Sequence, residues 1–375
     1  MNTSRREWLK KSSFAAFGLG LSLRSMGNEE GLLRNFGKDQ GLINLGSNEN
    51  PYGISPLAKQ AIIDQISESN RYQFNVNAVK DFKTKLGTYL GVAPENLLVT
   101  AGSIEGLTLL GRYFTNGNIV TATPTYATLP ATAKRMGVEV KEIPITNEKV
   151  HDLGGMLSAI NSNTQLVMVV NPANPTATMI KPPEVKSFCE EASKKTTVLV
   201  DEAYIDFLDA PDNESMVGLV NKNQNILVIR TFSKIHGMAG LRIGYIVGHP
   251  TLIKKLEEKY FNLSHFQLSN LSMAAALASL QDEGHRENCK QKNAAARKFA
   301  YDQIKKLNYR CYPSYTNFIF FHLGNYSGDF SQYMLKQNII LRSNDYPDGK
   351  WCRVSVGTME EMQKFIPILK ATLSN

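Results

Sequence analysis

Five short apolar runs, each stopped by polar turn-forming residues, limit what this chain can fold into. They are Leu97–Thr100, Ile119–Thr123, Gln165–Val170, Val198–Val200 and Ile226–Ile229. Such runs read as strands buried on both faces, as in a parallel sheet covered by helices. Leu97 to Tyr245 therefore reads as one parallel-sheet α/β layer with right-handed crossovers. In open sheets of this kind, ligands bind beyond the carboxyl ends of the strands. The residues that follow each run are thus the candidates for chemistry.

After the last run comes Thr231-Phe232-Ser233-Lys234, then three glycines and Arg242. A lysine placed there can form a Schiff base with an aldehyde cofactor. Ser233 and Arg242 offer a hydroxyl and a guanidinium, which suit a phosphate. After the first run, Ala101-Gly102-Ser103-Ile104 opens a helix. Its free N–H groups and positive dipole end make an anion site, with the amides of Ser103 and Ile104 as donors. The second run ends at Pro124-Thr125-Tyr126, and an aromatic there can stack on a flat ring. The third leads into Asn171-Pro172-Ala173-Asn174-Pro175-Thr176-Ala177, and the fourth into Asp201-Glu202-Ala203-Tyr204. A carboxylate paired with a pyridine nitrogen keeps that nitrogen protonated and the ring electron-accepting.

These motifs, in this order, resemble those of class I and II aminotransferases, which use pyridoxal phosphate (PLP). The histidinol-phosphate aminotransferase branch is the nearest match, and the resemblance runs from about Leu42 to the C-terminus. It implies the α/β architecture of a fold-type I PLP-transferase: a large domain with a mainly parallel sheet sandwiched by helices, and a small α+β C-terminal domain. It implies that Lys234 carries the cofactor and moves protons. Ser103, Ile104, Ser233 and Arg242 would hold its phosphate, joined by Tyr72 across a homodimer interface. Tyr126 would stack on the ring and Asp201 meet the pyridine nitrogen, while Asn174 and Tyr204 meet the phenolic oxygen. Arg353, in Arg-Val-Ser-Val-Gly, would grip a substrate α-carboxylate, and Arg342 a distal phosphate or carboxylate. Asn50 lies in an Asn-Glu-Asn-Pro arm, which the resemblance folds over the substrate. Ala177 stands where the family has glycine; if that position needs a positive φ, alanine costs about 1 kcal/mol. The implied reaction moves an amino group between an amino acid, or a phosphate ester such as histidinol phosphate, and a 2-oxo acid such as 2-oxoglutarate. The same motifs serve PLP-dependent decarboxylases, lyases and racemases, and a PLP-binding protein without catalysis.

The N-terminus reads as an address. Ser4-Arg5-Arg6-Glu7-Trp8-Leu9-Lys10 resembles a twin-arginine export signal, followed by the apolar run Phe14–Leu23. That run is too short to span a bilayer and has the length of a signal-peptide core. The expectation is export to the periplasm through the twin-arginine machinery, the alternative being a cytoplasmic protein. Five cations against one acid in residues 1–27 account for half of the net charge of +8. The remainder is mild and has no basic cluster interleaved with aromatics, so nucleic acid is not indicated. The four cysteines are scattered and suggest neither a metal site nor a dense disulfide framework. The expected division is a signal peptide at 1–27, an arm and helix at 28–70, a large domain at 71–284 and a small domain at 285–375. An exported protein would not easily meet a cytoplasmic intermediate of histidine synthesis, so the address and the nearest branch pull apart.

Overall fold

The structure, a computed structural model, describes residues 41–71, 76–261 and 268–373. The twin-arginine stretch and Tyr72 lie outside the described residues. From Ile43 onward the chain forms one compact unit. Strand β1 (Ile43–Asn44) is followed by the helix Pro56–Gln65. Ser55 caps that helix, its Oγ accepting from the Ala58 N–H at 3.0 Å, with Pro56 in the first turn.

A seven-stranded sheet follows: β2 (Leu97–Thr100), β3 (Asn118–Thr123), β4 (Glu139–Pro144), β5 (Thr164–Val170), β6 (Thr197–Asp201), β7 (Ile226–Thr231) and β8 (Gly244–Gly248). The spatial order is β2-β8-β7-β6-β5-β3-β4. The central strands carry unbroken apolar stretches, residues 166–170 in β5, 198–200 in β6 and 226–229 in β7, because their two faces enter two cores. Val120, Val167, Val169, Val198 and Val228 point to one side; Ile119, Leu166, Met168, Leu199 and Leu227 point to the other.

One expectation needs correction, since the layer is not wholly parallel. β8 runs antiparallel to both β2 and β7. The link between β7 and β8 is spent on the Lys234 loop and one short 3-10 turn, Ala239–Leu241. No helix carries the chain across the sheet, so it turns straight back.

The C-terminal part holds β9 (Phe318–His322), β10 (Ile339–Ile340), β11 (Arg342–Tyr346) and β12 (Gly349–Ser355). β11, β12 and β9 form an antiparallel sheet in that order. It packs with the helices Glu283–Lys306 and Met359–Leu373 around Phe321, Val354, Phe365, Ile304 and Leu369. The run Ile339–Arg342 is split between two sheets: β10 pairs in parallel with β1, while β11 begins at Arg342. The N-terminal arm is thereby joined to the C-terminal layer. Among the described residues, no helix is long and apolar enough to cross a membrane.

Candidate active site

A cavity of about 430 Å³ opens at the carboxyl ends of the parallel strands. It gathers Ser103, Ile104, Tyr126, Asn174, Asp201, Tyr204, Ser233, Lys234, Arg242, Arg342 and Arg353. Those residues span 250 positions of sequence, and strand ends, the arm and the β11–β12 hairpin bring them together. Asn50 is not among the lining residues. Its side chain ties the arm to the Lys234 loop: Nδ2 donates to Ile235 O at 2.7 Å, while Oδ1 accepts from the Tyr52 N–H at 3.0 Å. The arm reaches the cavity through Gly46, Ser47, Asn48 and Glu49 instead.

At one end lies an anion cradle. The helix Ser103–Tyr113 starts from Gly102, whose φ is +82°. A Cβ there would sit 2.5 Å from Arg242 Nη2, so glycine is what admits the guanidinium to the helix N-terminus. Arg242 is held by Nη1 donating to Ala239 O at 2.8 Å. Ser233 Oγ accepts from Thr231 Oγ1 at 2.8 Å and faces the same end. Ile104 is about half exposed, so only its backbone is suited to an anion.

At the floor, Asp201 ends β6, buried and in no ion pair among the described residues. Burial pushes its carboxyl up to about 7, with Glu202 adding to the effect and the Ala203 N–H and Lys234 opposing it. Glu202, beside it, is neutralised below the sheet by Arg230 at 3.0 Å and accepts from Met216 N and Ser215 Oγ.

Lys234 is half-buried, its Nζ 3.1 Å from Asn48 O and 3.5 Å from Ser47 O. Burial, then the charge of Arg353, pulls its amine down to about 8, against Glu49 and Asp201. Tyr204 OH accepts from Asn48 Nδ2 at 3.0 Å and Asn174 Nδ2 at 3.3 Å. Burial nevertheless holds its hydroxyl up at about 12, so it remains a neutral donor. Arg353 donates to Asn174 Oδ1 at 2.8 Å and Gly46 O at 2.9 Å, and its buried Nε has no partner among the described residues. Arg342 donates to the same Gly46 O at 3.3 Å.

A lysine beside a strand end, an unpaired carboxylate on the floor and a helix-terminal anion cradle define a fold-type I PLP-dependent enzyme. The comparisons carry this further. Residues 40–369 match the family of class I and II aminotransferases. The histidinol-phosphate aminotransferase of Bacillus subtilis (strain 168) is 34% identical over 349 residues, 92% of this chain and 95% of that protein. The histidinol-phosphate aminotransferase structure from Clostridium acetobutylicum superposes with a TM-score of 0.79 at 25% identity, covering 89% of this chain and 100% of that one. That of Sinorhizobium meliloti in complex with pyridoxal-5'-phosphate gives a TM-score of 0.81 at 24% identity, covering 95% and 99%, a likeness of fold. The chain belongs to the class I and II aminotransferase family and is a PLP-dependent transaminase.

The residues present fit that cofactor. The buried Asp201 lacks a cation such as a protonated ring nitrogen would supply. The Gly102–Arg242 cradle is shaped for a phosphate, and the low-lying Lys234 amine faces the same space.

Proposed function

We propose that this aminotransferase acts on anionic substrates, with histidinol phosphate or a similar amino compound as donor and a 2-oxo acid such as 2-oxoglutarate as acceptor. One observation carries the reading: Arg342 and Arg353 stand directly opposite each other across β11 and β12. Like charges so placed repel, and neither forms an ion pair among the described residues. Two guanidinium forks converging on one carbonyl beside the cavity suit a phosphate or carboxylate. The names of the relatives favour the phosphate ester.

In this reading, bound PLP supplies an aldehyde for the amino group and a protonated ring that stores the electron pair released at the substrate's α-carbon. Lys234 would hold the cofactor, and its Nζ, when free, would take the substrate's α-proton as base and return it as acid. An amine lowered to about 8 has a substantial neutral fraction near pH 7.5. Asp201 would hold a proton on the ring nitrogen, and Tyr126 would cover a ring face. Tyr204 and Asn174 would donate to the phenolic oxygen. Ser103 and Ile104 amides, the Ser233 hydroxyl and Arg242 bind the phosphate, with Tyr72 assigned to the site of a second copy in a homodimer. The division at 28–70, 71–284 and 285–375 belongs to the same reading.

A single-turnover experiment tests it. Purified protein with stoichiometric PLP is mixed with histidinol phosphate, glutamate and a panel of other amino acids, and the products are quantified. One keto product per site, abolished by Lys234→Ala, is the expected result, with Arg342→Ala weakening the phosphate ester most. Release of CO₂ in place of a keto product would instead make the enzyme a decarboxylase.

Export is a separate proposal. Arg5-Arg6 and the apolar run Phe14–Leu23 precede the family match, which begins at residue 40. Fractionation of the full chain and of an Arg5→Lys/Arg6→Lys variant decides it. Periplasmic protein only from the parent supports export, and equal distribution sinks it.

A further inference from the structure

The carbonyl and the side-chain NH₂ of one arm residue, Asn48, meet Lys234 and Tyr204, the proton carrier and the phenolic-oxygen donor of the reading above. Asn48 is buried and left-handed, with φ +53°, a conformation asparagine tolerates better than most residues. That twist sends its carbonyl one way and its side chain another. The carbonyl accepts from Lys234 Nζ at 3.1 Å, and Nδ2 donates to Tyr204 OH at 3.0 Å.

The hydrogen positions follow from the neighbours. Ser355 Oγ accepts the Asn48 N–H at 2.8 Å, so its own hydrogen goes to Asn48 Oδ1 at 2.9 Å. The Asn48 NH₂ is therefore the end that faces Tyr204. Arg353, which can only donate, takes Asn174 Oδ1 and turns the Asn174 NH₂ to Tyr204 as well. With both lone pairs of the Tyr204 oxygen occupied, its hydrogen is left for the cavity. The same accounting applies to the amine. Neutral Lys234 has two N–H groups and one lone pair, and the Asn48 and Ser47 carbonyls lie where they accept the N–H groups. Asn317, fully buried, fixes the Asn48 carbonyl: its Nδ2 donates to Asn48 O at 3.0 Å and to the following carbonyl, Glu49 O, at 3.2 Å.

We propose that Asn48 is a positioning residue: its carbonyl parks the free Lys234 amine with the lone pair turned into the cavity, and its amide turns the Tyr204 hydrogen toward the cofactor. This rests on the roles assigned above to Lys234 and Tyr204. The charged groups around the amine are Arg353, Glu49, Asp201 and Arg242, and those around the hydroxyl are Arg353 and Asp201. None of them can replace a neutral donor on Tyr204 or a carbonyl at Nζ.

Two variants of the full-length holoenzyme separate the two functions. Asn48→Gly keeps the left-handed backbone and the carbonyl but deletes the amide. Weaker donation by Tyr204 leaves more negative charge on the cofactor's oxygen, so the bound cofactor keeps its proton to higher pH. The pH midpoint of its visible band should rise by roughly 0.5–1 unit, one hydrogen bond's worth, with the α-deuterium isotope effect on kcat unchanged. Asn317→Ser loosens the carbonyl and leaves the amide. Here kcat should fall about tenfold with a larger isotope effect and little change in KM, the midpoint staying in place; Asn317→Gln is the substitute should the serine variant not fold. Equilibrium dialysis should show PLP retained by both. Loss of PLP or of thermal stability with midpoint and isotope effect unmoved would make Asn48 merely structural, as would the same response from both variants. A visible band that survives Lys234→Ala would instead remove the Lys234 assignment beneath the proposal.

Discussion

Ala177 is the residue whose backbone carries the clearest penalty. It is fully buried with φ +63°, in the left-handed region that glycine occupies freely. Its N–H donates to Ala173 O and its carbonyl accepts from the Tyr315 N–H, so the conformation is held from both sides. Ala177→Gly relieves the Cβ and is expected to stabilise the protein by about 0.5–1 kcal/mol, read from urea unfolding. His151 gives a pH signature. Both ring nitrogens are buried with no partner among the described residues, and burial lowers the imidazole to about 4. Its folded value lies below its unfolded 6.5, so the stability it carries is complete above pH 6.5 and is lost as pH falls toward 4. The loss is roughly 3 kcal/mol across that window. His151→Phe should flatten the decline, and an unfolding midpoint that still drops as steeply as in the parent would contradict this account.

At the scale of elements, the last helix is closed by a capping box. The Thr358 N–H donates to Glu361 Oε2 at 2.7 Å, and the Glu361 N–H donates to Thr358 Oγ1 at 3.2 Å. Thr358→Ala should cost about 1 kcal/mol, measurable by chemical denaturation, without altering the cavity. That box could be read from Thr358 and Glu361 alone, because capping is local. The central strands were legible for a related reason: burial on both faces leaves unbroken apolar runs. β4 was not, since Glu139–Pro144 forms the sheet's exposed edge and mixes charge with apolar residues. The direction of β8 was hidden because it depends on what the preceding loop does, not on its own sequence. In the site, residues at strand ends could be located by position. Asn48 could not be told from Asn50, two places on in the same polar arm, because the left-handed turn at Asn48 decides which one faces inward.

For the whole molecule, the role proposed for Asp201 couples cofactor to stability. In the cofactor-free protein its carboxyl, raised to about 7, contributes stability that is complete below pH 3.8 and lost as pH rises through 7. A protonated ring nitrogen pairs with the ionised form and offsets that loss. The thermal shift produced by saturating PLP should therefore grow from about pH 5.5 to about pH 8, and Asp201→Asn should remove the growth. A shift independent of pH would break this link.

The pairing of β1 with β10, and of Asn48 with Ser355 at a separation of 307 residues, has a consequence for synthesis. The ribosome releases Asn48 a full 307 residues before Ser355, and Ile339 and Ile340 also follow far behind the arm. Until then the arm has nothing to dock on, and Lys234 lacks its carbonyl neighbours. A nascent chain that ends ahead of Ile339 already holds every strand of the seven-stranded sheet, yet its Lys234 remains unseated. A stop codon there would thus spare the strands of the large sheet while removing the partners that dock the arm beside Lys234.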